Sequence, residues 1–140
     1  MKANELMVGD LVYSSFSDIP CKVQYLELRE SGYGSVKTSN VDGIKDIASL
    51  SPIPLTPEIL EKNGFVKEEE ERGFSEPYCV YVCDDFQYVI KIYPKNLMDR
   101  YSRLYIGEYD DNENASLLIN HLHELQHALK LFGIDKTIEL

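Results

Sequence analysis

Three prolines at positions 52, 54 and 57, inside "SPIPLTPEILEKNGF", limit what this chain can fold into more than any other feature. Each fixes its own φ and lacks a backbone donor, so neither a helix nor a central strand can run through 52–57. The stretch therefore divides the chain near residue 54, with residues 1–54 on one side and residues 55–140 on the other. Just beyond it, Thr56 is placed to cap a helix whose first position is Pro57. Glu58 then sits where the helix dipole favours an acid, and Gly64 ends the helix.

The amino-terminal segment reads as short strands. "LMVGDLVY" places a Gly-Asp turn between apolar residues, and "CKVQYLEL" offers Val23, Tyr25 and Leu28 to a core. Tight turns such as "SGYGS" separate the runs. Several short strands in about fifty residues suggest a small SH3-like β-barrel or a curled sheet. The Gly32-x-Gly34 pair is a turn and not a phosphate loop, since no helix follows it.

The carboxy-terminal segment holds "FVKEEEERGF", "YCVYVC", "FQYVIKIYP" and "RLYIGEY", rich in tyrosine and β-branched residues. They predict an antiparallel meander of three or four strands. A long final helix is expected from a cap at Asn114 to a stop at Gly133, with Leu118, Leu122, Leu125, Leu129 and Phe132 as its buried stripe. The expected class is α+β, with a short helix and a long C-terminal helix beside the meander.

The helix carries the most suggestive letters in the chain. His123-Glu124-Leu125-Gln126-His127 fits H-E-x-x-H, in which two histidines one turn apart bind zinc and the glutamate is the base. At about 100° per residue, His123 and His127 project together, away from the leucine stripe and toward solvent. A catalytic zinc needs a third protein ligand and a cleft, and only residues 128–140 follow His127. The longer metzincin pattern would place histidine at 133, where the chain has Gly133. Surface helix faces are filled with His, Glu and Gln, so the motif arises without chemistry. The preferred expectation is no metal and no cofactor. The alternative is a zinc-dependent hydrolase with His123 and His127 as ligands and Glu124 as base. His121 is expected at the edge of the core with one hydrogen bond.

Other patterns carry less. Cys79 and Cys83 share a strand face about 13 Å apart, too far for one metal or one disulfide, and read as small buried residues. Asp110, Asn112 and Asn114 imitate a calcium loop, but Ala115 and His121 stand where glycine and glutamate belong. The net charge of −10 disfavours non-specific binding to nucleic acid or anionic membrane. No run approaches the ~20 apolar residues of a membrane span, and Met1–Gly9 does not read as a signal peptide, so a cytoplasmic location is expected. The chain has ten tyrosines, a residue favoured in protein contacts, and Tyr81, Tyr88, Tyr93, Tyr101 and Tyr105 form the candidate partner surface.

Three stretches, "MKANELMVGDLVY", "PIPLTPEILEKNGF" and "NHLHELQHALKLFGIDKTIEL", together resemble a family of small uncharacterised Bacteroides-type proteins often encoded near prophage or other mobile elements. The resemblance covers about a third of the chain. The family has no assigned activity, so the resemblance assigns no site residues. Its final helix can read His-Gln-Leu-Gln-Asn where this chain has His123 to His127, which lends the zinc reading no support. The expectation is a non-catalytic interaction or accessory module of a mobile element, with another protein as partner.

Overall fold

In a computed structural model of the chain, the described residues are 5–14, 17–28, 34–40, 43–70, 78–83, 89–93, 102–107 and 113–140. They form an α+β protein with two antiparallel five-stranded sheets and two α-helices. The chain divides into two compact units, Met1–Pro54 with His121–His127, and Leu55–Asn120 with Ala128–Leu140.

The first unit contains β1 (Leu11–Ser14), β2 (Ser17–Leu28), β3 (Gly34–Thr38), β4 (Lys45–Asp46), a one-turn 3₁₀ helix (Ile47–Ser49) and β5 (Leu50–Pro52). The strand order is β4-β3-β2-β1-β5. Alternation decides which side chains turn inward: Val12, Cys21, Val23, Val36, Ile47 and Leu50 join Leu6 in one core, while Lys22 and Lys37 stay outside. The Cys21 thiol reaches the Val12 carbonyl at 3.4 Å, which suits a small buried residue. A register shift between Val23 and Tyr25 breaks the alternation, and Tyr25 emerges exposed opposite Lys37. Gly34 has a packing reason, since a Cβ there would stand 2.8 Å from the Glu27 carbonyl and collide with the Ile47 side chain. Among the described residues β4 and β5 remain the edges, so pairing does not close this sheet into a barrel.

The second unit opens with α1 (Pro57–Lys62). Thr56 Oγ1 accepts from the Ile59 N–H, Pro57 takes the first turn and Gly64 follows at φ +81°, as the sequence predicts. The Thr56 hydrogen bond also lowers the pKa of the Glu58 carboxyl. Asn63 holds the chain at Glu139: its side chain donates to the Glu139 carbonyl and accepts from the Glu139 N–H, both at 2.8 Å. Then come β6 (Val66–Glu70), β7 (Tyr78–Cys83), β8 (Val89–Tyr93), β9 (Ser102–Gly107) and β10 (Glu113–Ile119), each paired with the next. Phe65, Val80, Ile90, Ile92, Leu104, Ile106 and Ile119 are buried, each worth roughly 1.5–3 kcal/mol against exposure.

The final helix departs from the sequence expectation. Residues 113–119 are the fifth strand of the meander, and α2 covers only Leu122–Leu131. The reason is pairing: Leu117, Leu118 and Ile119 face Leu104, Arg103 and Ser102 across β9, which satisfies their backbone groups in a ladder. Leu118 is therefore exposed and not part of a helical stripe, whereas Leu122, Leu125 and Leu129 are buried as expected. Asn114 lies within β10 and not at the start of a helix. Asp110 and Asn112 lie outside the described residues, as does the Cys79 side chain, while Cys83 is buried. Among the described residues, no helix is long and apolar enough to cross a membrane.

Candidate functional site

The residues of the HELQH segment are brought together with Asp10 inside the first unit. Asp10 owes its position to a turn at Met7-Val8-Gly9-Asp10. Gly9 holds φ +105°, the left-handed value that a type II turn requires at its third residue, and the Asp10 N–H donates to the Met7 carbonyl at 3.2 Å. The turn is pinned to β2 by Gly9 N–H to the Val23 carbonyl and Val23 N–H to the Asp10 carbonyl, both 2.8 Å. The Asp10 carboxylate then accepts from the Met7 N–H at 2.7 Å. Asp10 is buried.

His127 meets that carboxylate squarely. Its Nε2 stands 2.9 Å from each Asp10 oxygen. A carboxylate only accepts, so Nε2 carries a hydrogen and donates it to Asp10. One residue earlier, Gln126 Oε1 accepts from the Leu11 N–H at 3.1 Å. The start of α2 is fastened in the same way. Leu122 N–H donates to the Ile53 carbonyl at 2.9 Å, and His121 forms an isolated bridge with Pro54.

Glu124 is the third residue of α2, and its Oε2 accepts from the His121 N–H at 2.9 Å. This is the reciprocal half of a capping box, with His121 where serine or threonine is usual. The same oxygen stands 3.4 Å from His121 Nδ1. The expected half-buried His121 with a hydrogen bond is thus what the helix start contains, although the bond is made by its main chain.

The expectation that His123 and His127 face solvent is overturned. His123 is only 3% exposed, and His127 is half-buried. The leucine face is not the sole packed face of this helix, because Asp10 and Leu11 approach its opposite side. His123 Nδ1 is buried without a hydrogen-bond partner among the described residues. Desolvation lowers the pKa of this imidazole; Glu124 and Asp10 raise it in part, and His121 and His127 lower it further.

These contacts oppose a zinc protease constellation. The Nε2 that would face a metal carries the hydrogen donated to Asp10, and the Glu124 carboxylate turns back to the helix start. Among the described residues, no group of three His, Cys, Asp or Glu side chains could hold a metal ion. The sequence offers no signal for Asp10 as a partner, because its 117-residue separation from His127 hides the contact.

The candidate partner surface also needs correction. Tyr81 and Tyr93 are buried at 4% and 8% exposure, and Tyr105 is half-buried with its ring edge-on to Tyr93 at 5.3 Å. Tyrosine bulk here fills the second sheet instead of facing outward. Tyr88 and Tyr101 lie outside the described residues. Among the described residues, the exposed large apolar side chains of the first unit are Met7, Val8, Ile19, Tyr25, Leu28 and Ile44, none of them in the candidate tyrosine surface. No family model, curated protein or solved structure matches the chain.

Proposed function

We propose that this chain is a non-catalytic interaction or accessory module, acting in the cytoplasm on behalf of a prophage or other mobile element, with another protein as its partner. One observation carries the non-catalytic reading: the groups that would perform zinc hydrolysis are engaged in holding the fold. Glu124 binds the His121 N–H and His127 binds Asp10. On this reading HELQH is a clasp, and the module needs no cofactor.

The choice of partner follows from surface chemistry. A net charge of −10 argues against a phosphate backbone or an anionic lipid surface, and a protein remains. The exposed Met7 and Val8 sit on the turn that Gly9 pins to Val23, two residues before the exposed Tyr25. Exposed apolar side chains suit a protein contact. We read the first unit as SH3-like: its strand order, its twelve-residue β2 and the single 3₁₀ turn between β4 and β5 support that reading. The resemblance of three stretches to proteins encoded near mobile elements supports the assignment of setting.

The test has two arms. Metal content is measured on untagged protein purified without chelator or nickel resin, beside a His123→Ala, His127→Ala double variant. No stoichiometric zinc is expected in either; one zinc per chain, lost in the double variant, would restore the hydrolase. In the second arm, Val8→Ser and Tyr25→Ser are compared with the parent for binding to proteins crosslinked to it in host cells. Loss of a specific crosslinked partner with the fold intact is expected. Crosslinking that ignores both substitutions removes this surface from the proposal.

A further inference from the structure

Three imidazoles run in series at the start of α2. The His121 and His123 rings are stacked, with centroids 5.7 Å apart and planes 16° from parallel. His123 meets His127 edge-on, also at 5.7 Å. The two outer rings each have a carboxylate: Glu124 lies 3.4 Å from His121 Nδ1, and Asp10 lies 2.9 Å from His127 Nε2. Among the described residues the middle ring has no such partner, and its Nδ1 is buried and unbonded.

A proton therefore has very different consequences at the three positions. On His121 or His127 the resulting charge lies beside a carboxylate. On His123 it enters a desolvated position between two other imidazoles, where a charge without a hydrogen bond is costly. Among the described residues, the charged and titratable groups facing His123 are Glu124 and His127 from its own helix, His121 just before it and Asp10 from the turn before β1.

We propose that this cluster is an acid-sensitive latch, in which protonation of His123 releases His121–His127 from the Asp10–Leu11 end of the first unit. The latch does not depend on the functional reading above. The sign follows from proton linkage. The docked ring binds a proton less readily than a free histidine with its ordinary value of 6.5. The docked state therefore has its full stability above that value and loses it as pH falls toward the lowered one.

The Leu11 amide reports directly on the latch, because its N–H donates to Gln126 Oε1. Hydrogen exchange at that amide, corrected for the intrinsic rate, is compared at about pH 7.5 and about pH 5.5 in the parent and in His123→Leu. Linkage to one proton predicts a loss of protection in the parent of up to about tenfold across this interval. The leucine variant, which has nothing to titrate there, should show no such loss. Equal losses in both proteins would assign the effect to His127 and Asp10 and overturn the proposal, as would unchanged protection in the parent. Should His123→Leu fail to fold, the His123 ring is followed by NMR in the parent. Expected is a ring that gains its proton only as Leu11 protection falls; a ring that titrates like a free histidine while Leu11 stays protected overturns the latch.

Discussion

β10 and α2 lie two residues apart in the chain and are both rich in leucine, yet they meet their backbone requirements in opposite ways. In β10 each residue from Ala115 to Ile119 faces a partner in β9. In α2 the bonds run within the helix, and the N–H groups at its start are met by Ile53 and Glu124. Asn120 marks the change. Its side chain accepts from the Ser102 N–H at 3.2 Å and its carbonyl from the Leu55 N–H at 2.8 Å, so the chain is held extended before the helix begins. Leucine content does not choose between the two states; the available partner for the backbone does.

The contrast is sharpest between Leu125 and Leu118, and the largest expected effect is at Leu125. It is 1% exposed, so Leu125→Ala removes buried methyl groups and leaves a cavity, at a cost of roughly 2–5 kcal/mol. Chemical denaturation of the two proteins measures this. A loss below about 1 kcal/mol would mean that the helix packs by some other face.

How much of this arrangement is legible in the sequence follows the range of the interactions. Thr56, Pro57 and Gly64 act on their immediate neighbours, and α1 forms where they place it. The short strands and the α+β class also follow from local pattern. The end of β10 does not, because "ASLLI" suits a helix by propensity and becomes a strand only through its pairing with β9. The site is hidden for the same reason. Glu124 is visible as one letter of a motif, but its bond to the His121 main chain depends on where the helix starts. A helix beginning near residue 114 would have no capping box at His121. The burial of His123 is equally invisible, because nothing in the sequence announces Asp10 as a neighbour.

Asp10→Ala tests what holds the helical half without touching β10. The substitution strands the Met7 N–H and His127 Nε2 together, so a loss of about 1–3 kcal/mol is expected. Hydrogen exchange should show α2 amides from Leu125 onward less protected while β9 and β10 amides keep their rank. Equal weakening of both regions would show that Asp10 supports the whole fold and not the helix start. Asp10→Asn keeps an acceptor for the Met7 N–H and should fall between the parent and the alanine variant.

Glu124→Ala comes next in size. A capping residue typically contributes about 0.5–2 kcal/mol, and the loss should appear as fraying of the first turn of α2. Glu124→Gln keeps an oxygen that accepts from the His121 N–H and should recover most of the stability. The hydrolase reading adds a separate demand, since glutamine cannot serve as a base and would abolish turnover. A glutamine variant as unstable as the alanine variant would show that the negative charge, and not the hydrogen bond, supports the helix start.

The smallest effect is expected at Leu118, and it is the most discriminating. In a helix running from 114 to 132 this residue would lie on the same stripe as Leu122 and Leu125, and polar substitution would cost as much as at a core position. In β10 it is 59% exposed, opposite Arg103 on β9. Threonine is β-branched and favoured in strands, so Leu118→Thr should change stability by no more than about 0.5 kcal/mol in either direction. Leu118→Pro separates backbone from side chain at the same place. Proline removes a donor and fixes φ, so its cost is large if the Leu118 N–H points toward β9 and small if it points to the side of β10 that is unpaired among the described residues. A large loss with threonine would return Leu118 to a buried helical face and break the division between strand and helix at Asn120.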